Sequence, residues 1–242
     1  MTHRPRIDLR GEDGFTIVEL LTAMVIGAIV LFATLTVLDT TISLTTRVNT
    51  RVDTLQRGRN AMDLMIRDLR SQNCVNVLTN AATGATSMDD SLIGGSATSV
   101  TFYTDLGDGS KPPTRRTLTY NPTAKTIVET IVKPALQAGA WNFTTGATTT
   151  SRTLLTDVVQ DGATPVFSFY AFDGSTPRTP TVALSSPLSA ADEARTVRIS
   201  IAFKVHRTGG TATSPGATLL QDDVYRRAAD PNDADPSPEC SS

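Results

Sequence analysis

The sequence predicts an α+β chain in which one long N-terminal helix packs on an antiparallel β-sheet head. Three observations carry that expectation. The run from Phe15 to Leu38 is apolar and holds a single ionisable side chain, Glu19. Beyond it, apolar residues recur at helical spacing at Val48, Val52, Leu55, Met62, Ile66 and Leu69. Later, short alternating segments rich in Thr, Val, Ile and aromatics are divided by Gly- and Pro-containing turns.

The first element reads as a membrane span. As a helix, Phe15–Leu38 would be about 36 Å long, enough to cross a hydrocarbon core of about 30 Å. Arg4, Arg6 and Arg10 precede it, and the next basic residue is Arg47, a bias that places the N-terminus in the cytoplasm and the head outside. The run is too long for a secretory signal core, and no A-x-A cleavage site follows it. Glu19 is the exception to explain, because a carboxylate inside a span costs roughly 2.5–3.5 kcal/mol. Either it lies near the interface, eased by water and the positive end of the helix, or it has a partner.

The helix continues as an amphipathic second half, with no proline from Phe15 to Gln72. Packing on the protein's own sheet accounts for the apolar stripe, with a partner helix as the other reading. Asp53 with Arg57, and Asp63 with Arg67, are i,i+4 pairs for the solvated side. Arg59 falls on the stripe, where it snorkels at the edge or pairs with Asp63. Gly27 and Gly58 are weak points in the helix. The arginines of this half alternate with Asp39, Asp53, Asp63 and Asp68, a mixed face in which DNA binding is not indicated.

The head follows. Residues 74–98, "CVNVLTNAATGATSMDDSLIGGSAT", are polar and small and read as an irregular connection. The expected strands are "SVTFYTD", the hairpin "RTLTYN" and "KTIVETIV" around "NPTA", then "TPVFSFYAFDG", "RTVRISIAFKVHR" and "ATLLQDDVYRRA". In the penultimate strand Val197, Ile199, Ile201 and Phe203 share one face. "DLGDGSK", residues 105–111, offers oxygen ligands but lacks the spacing of an EF-hand, and a hairpin turn explains it better.

Chemistry is poorly supplied. The formal net charge of −2 points to no polyanionic or polycationic partner. Two histidines, His3 and His206, give little for metal or acid–base work, and His206 reads as a surface residue at a strand end. There is no GxSxG, Walker A, HExxH or CxxC. The chain is therefore read as non-enzymatic, with no catalytic residue, cofactor or metal assigned. The two cysteines, Cys74 and Cys240, would stand outside the cytoplasm, where a bridge persists. Bridging would remove about 5 kcal/mol of denatured-state entropy and pin the Pro- and Asp-rich tail. The alternative is two free thiols.

One stretch carries a resemblance. "GFTIVELLTAMVI" resembles the N-terminal motif of type IV pilins and type II secretion pseudopilins. That motif is a short charged leader ending in Gly, then Phe, Thr and, fifth after the Gly, Glu, leading an unbroken apolar helix. Gly14, Phe15, Thr16 and Glu19 fall in place. The resemblance implies that a prepilin peptidase/methyltransferase cuts between Gly14 and Phe15 and N-methylates Phe15. It further implies assembly with other pilin or pseudopilin subunits. Glu19 lies at i+4 from the new amine, about 6 Å along the axis. In a filament its carboxylate can meet the Phe15 amine of a neighbour, offsetting both charges and setting axial register.

A looser likeness spans residues 165–232. "ARTVRISIAF" and "VYRRAADPN" are similar to the C-terminal part of larger minor pilins and J-type pseudopilins. The helix-interrupting proline of many major pilins is absent, which leans the same way. The resemblance thus implies a pilin-like fold with these parts: leader 1–14, transmembrane or filament-core helix 15–38, amphipathic helix 39–72, β-rich head 73–230 and flexible tail 231–242. The chain would be a single-pass membrane protein before assembly, then part of a cell-surface or periplasmic filament. Its rival is a signal-anchored extracytoplasmic binding protein that keeps its leader. A secreted β-rich enzyme is the third reading.

Overall fold

The computed structural model describes residues 14–80, 82–104, 112–175, 177–207, 217–226 and 240. The order of elements is α1 (Ile17–Arg70), β1 (Val75–Asn80), β2 (Ala85–Asp89), β3 (Leu92–Gly95), β4 (Ser99–Thr104), β5 (Thr114–Asn121), β6 (Thr126–Lys133), β7 (Ala135–Gln137) and β8 (Ala140–Asn142). It continues with β9 (Thr148–Thr156), β10 (Val158–Val159), β11 (Phe167–Ala171), β12 (Val182–Ala183), α2 (Ala190–Arg195), β13 (Arg198–Val205) and β14 (Thr218–Tyr225). This is the expected α+β architecture of a long helix and antiparallel sheets. Two units make up the chain, residues 1–49 and 50–242. In the first, every described residue is exposed. The second is the head with the C-terminal part of α1.

Two five-stranded antiparallel sheets build the head. One runs β3-β4-β5-β6-β9. In the other, β13 is the hub, pairing with β10, β11 and β14, while β12 pairs with β11. The β5–β6 hairpin forms where "NPTA" foretold it. Asn121 Oδ1 accepts from the backbone N–H groups of Thr123 and Ala124 at 3.0 and 2.9 Å, and Lys125 takes φ 54°. Along β13 Ile199, Ile201 and Phe203 are fully buried, as expected of one face, but Ser200 and Ala202 of the opposite face are buried too, so the strand is covered on both sides.

A single core joins these sheets to α1. Met62, Met65, Ile66 and Leu69 from the helix meet Phe102, Leu118 and Ile127 of one sheet and Phe169, Ile201 and Phe203 of the other. Each such side chain contributes about 1.5–3 kcal/mol on full burial. The helical stripe differs from the expected one. Val48 and Val52 are exposed, Leu55 is half-buried, and the inward face runs Thr54, Gly58, Ala61, Met62, Met65, Ile66, Leu69. Arg59 is exposed, and the inward position beside it belongs to Gly58. A Cβ on Gly58 would stand 2.5 Å from Leu220 Cδ1 and 3.1 Å from Val205 Cγ2. The residue that weakens the helix is thus what lets β13 and β14 approach it. Buried Thr54 satisfies its hydroxyl on Thr50 O at 2.8 Å.

Asp68 corrects the mixed-face reading. It is fully buried, and Arg116 Nη1 donates to Asp68 Oδ2 at 2.8 Å and to Glu129 Oε1 at 2.6 Å. Glu129, directly opposite Arg152 in the β6–β9 register, accepts from Arg152 Nε at 2.5 Å. This chain of charges ties the helix to β5, β6 and β9. Burial, helped by the nearby Glu129, raises the Asp68 carboxyl above its ordinary 3.8 despite Arg116. The pair Asp53–Arg57 forms at 3.0 Å, whereas Arg67 stands 3.9 Å from Asp68 and no Asp63–Arg67 ion pair is present.

Residues 74–98 are also corrected. They form β1, β2 and β3 rather than an irregular connection. β1 and β2 pair as an antiparallel hairpin, and β1 also meets β8, giving a four-stranded sheet β2-β1-β8-β7. Its cause is a small second core in which Val75 packs with Tyr103, Val132 and Phe143. The Tyr103 hydroxyl donates to Asp89 Oδ2 at 3.3 Å, and burial with that carboxylate pushes the phenol up to about 12. The Thr-rich β9 was not foreseen, nor were β7, β8, β10, β12 and α2. The loop "DGSTPRTPT" gathers on Asp173, whose carboxylate accepts from Ser175 and Thr179 and is thereby held low.

Two expectations follow. A Cβ on Gly95 would lie 2.6 Å from both Phe169 Cζ and Leu188 Cδ1. Gly95→Ala should therefore destabilise the head by about 1–3 kcal/mol through overpacking, read as a lower urea midpoint. The raised Asp68 carboxyl favours folding fully below the unfolded value, and that contribution is lost as pH rises through the folded value. Against Asp68→Asn, wild type should gain relative stability as pH falls from about 7 to about 4. Paired denaturation curves across that range check the sign.

Candidate functional site

The described residues of the first unit present an exposed, largely apolar surface. From Ile17 onward the helix has mean hydropathy 2.5 over its most apolar stretch, and none of that stretch is buried. It is the one described helix long and apolar enough to cross a membrane. Phe15 is 83% exposed, and Leu21, Ile29, Phe32 and Leu38 are likewise open. So large a contiguous apolar face marks a membrane or protein contact. The threonines that punctuate its later turns do not break this character. Thr36, Thr40, Thr41, Thr45 and Thr46 donate to helix carbonyls one turn back at 2.8–2.9 Å, so their hydroxyls need no water.

The start of the helix is locally determined. Thr16 O accepts from Leu20 N–H at 3.1 Å, the first helical bond. Thr16 Oγ1 accepts from Glu19 N–H at 3.3 Å, and its own hydroxyl faces Glu19 Oε2 at 3.5 Å. Thr16 is therefore the N-cap, and Glu19 sits at the third helical position, with its carboxylate facing the Thr16 hydroxyl. Gly14 and Phe15 precede the helix in non-helical backbone. The T-x-x-E spacing before an apolar run was available as a sequence signal. Glu19 in the first turn also faces the positive end of the helix dipole.

Residues 9–35 match the family described as the prokaryotic N-terminal methylation motif. No curated protein matches the chain. The methylation motif covers Gly14, Phe15 and Glu19 and the first turns of α1. It indicates a prepilin-peptidase substrate of the pilin or pseudopilin type. With an exposed apolar helix, it supports membrane anchoring.

The other residues singled out from the sequence lie in the head. Cys74 and Cys240 are joined, with Cα atoms 5.7 Å apart, a span that disulfides bridge without strain on the backbone. Beside them lies a cluster that pattern-reading missed. Arg226, 5% exposed, donates to Asp90 Oδ1 at 2.6 Å, Ser91 Oγ at 2.7 Å and the carbonyls of Glu193 and Thr196 at 3.0 and 2.9 Å. Cys240 Sγ lies 3.6 Å from the same Asp90 oxygen. Burial lowers Arg226 from its ordinary value, opposed by Asp90. The arginine so ties the end of β14 to the β2–β3 connection, to the last turn of α2 and to the disulfide.

His206 is not a surface residue. It is 1% exposed, its N–H donates to Asp157 O at 3.1 Å, and Nδ1 contacts Arg207 O at 2.8 Å. That backbone bond carries the β10–β13 pairing one residue past the strand and turns the ring inward. The residues 105–111, His3 and most of the tail lie outside the described residues.

The disulfide closes a separation of 166 residues. Cys240→Ser should cost roughly 2–5 kcal/mol of unfolding free energy. Intact mass before and after reduction should differ by two hydrogens in wild type and by none in the variant.

Proposed function

We propose that this chain is a structural subunit, a minor pilin or pseudopilin, of a type IV pilus or type II secretion-like filament. A prepilin peptidase cleaves it between Gly14 and Phe15 on the cytoplasmic side, and Phe15 is then N-methylated. The segment 15–38 first anchors the chain in the membrane and then joins the filament core, with the head displayed outside. The observation that carries the reading is the placement of Gly14–Phe15 just ahead of an exposed apolar helical run with Glu19 in its first turn, inside the matched motif. In the assembled state Glu19 meets the cationic Phe15 amine of an adjacent subunit. Neither charge is stable alone in an apolar surround, and the pair sets register more than it adds net stability. The unbroken α1 and the absence of a proline between Phe15 and Gln72 support a minor or pseudopilin role.

Mass spectrometry of the protein from membranes should find a mature N-terminus at methyl-Phe15. An intact leader would favour the signal-anchored binding protein instead. Glu19→Ala should reduce co-purification with partner subunits at least roughly tenfold, the effect of about 1.4 kcal/mol. Unchanged co-purification would remove Glu19 from the assembly mechanism.

A further inference from the structure

The hydrogen bonds at the start of α1 bear on how the chain is cut, an inference that rests on the processing reading above. In a helix each N–H takes the carbonyl four residues back. The Glu19 N–H would thus take Phe15 O, and the Val18 N–H would take Gly14 O, the carbonyl of the bond to be cleaved. Instead Glu19 N–H is held by Thr16 Oγ1 at 3.3 Å, and α1 begins at Ile17. Gly14, Phe15 and Thr16 remain outside the helix, Phe15 is 83% exposed, and among the described residues beyond its chain neighbours nothing stands within 4 Å of where a Cβ on Gly14 would be. A peptidase needs the scissile carbonyl free and both of its faces open. Orphan first-turn N–H groups in a low-dielectric surround have a strong incentive to find carbonyls upstream.

We propose that Thr16 is a positioning residue for processing: its hydroxyl replaces the Phe15 carbonyl as acceptor, stops the helix there and keeps the Gly14–Phe15 bond in open, non-helical chain. Glu19 reinforces this cap by accepting from the Thr16 hydroxyl. Loss of the hydroxyl lets the helix advance by a turn's worth of bonds and draws the Gly14 carbonyl into the ladder. The carboxylate at Glu19 then has a role before cleavage, distinct from any role in the filament.

The test uses the full-length chain in membranes with a prepilin peptidase, following loss of residues 1–14 by intact mass. Thr16→Val keeps size and branching and removes the acceptor. Thr16→Ser and Thr16→Asn keep an N-cap acceptor. Thr16→Val should be cleaved roughly fivefold more slowly, the effect of losing one cap, while Ser and Asn variants stay near wild type. Carbon chemical shifts of Phe15 in the uncleaved chain should move toward helical values in Thr16→Val alone. Equal rates for Val and wild type, or a Ser variant as slow as Val, would overturn the proposal. If wild type is not cut between Gly14 and Phe15, the processing reading itself fails and this proposal falls with it.

Discussion

The inward face of α1 from Thr54 to Leu69 is the surface on which both five-stranded sheets are laid, and most of the head answers to it. Gly58 leaves room on that face, and Val205 of β13 and Leu220 of β14 fill it. Lower on the same face Met65, Ile66 and Leu69 supply the apolar area. Asp68 adds a constraint of another kind. A fully buried carboxylate beside apolar neighbours requires a cation at a fixed place, and Arg116 on β5 is that cation. Arg116 in turn engages Glu129, and Glu129 engages Arg152, so the position of the helix is linked to the register of three strands. Such networks are worth little as net stability and much as specification of one arrangement.

A second constraint closes the far end of the chain. β14 ends at Tyr225, and the next residue, Arg226, is bonded to Asp90, Ser91 and two carbonyls at the end of α2. The Cys74–Cys240 bond places Cys240 in the same neighbourhood, just after the helix ends. The exit of the helix, the β2–β3 connection and Cys240 are thereby held by one covalent link and one multidentate arginine. In a head built from short strands with few aromatics, this cross-linking supplies order that a larger core would otherwise provide.

Legibility in the sequence followed the physics of each element. The apolar run, the Glu19 spacing and the strands β4, β5, β6, β11, β13 and β14 were readable because period, turn residues and local capping act within a few residues. β1, β2 and β9 were not: "VNVLTN" and "ATSMD" are short with few apolar residues and "TTTSRTLLT" is polar and threonine-rich, and their strand state comes from pairing with other strands. His206 was read as exposed from its strand-end position, yet the pairing of β10 with β13 continues through its N–H to Asp157 O and its side chain is buried. Asp68 looked like one charge of a mixed helical face, since nothing nearby in sequence announces Arg116.

By itself the sequence determined the start and run of α1, the apolar anchor, the cap at Thr16 with Glu19 behind it, and the α+β class. These rest on interactions between residues at most a turn apart, or on composition against a solvent. Tertiary structure alone decided which helical face turns inward, the pairing of Asp68 with Arg116, the grip of Arg226 and the joining of Cys74 to Cys240. Those outcomes depend on groups many tens of residues apart, brought together only when burial makes an unpaired charge or an unfilled gap too costly to leave.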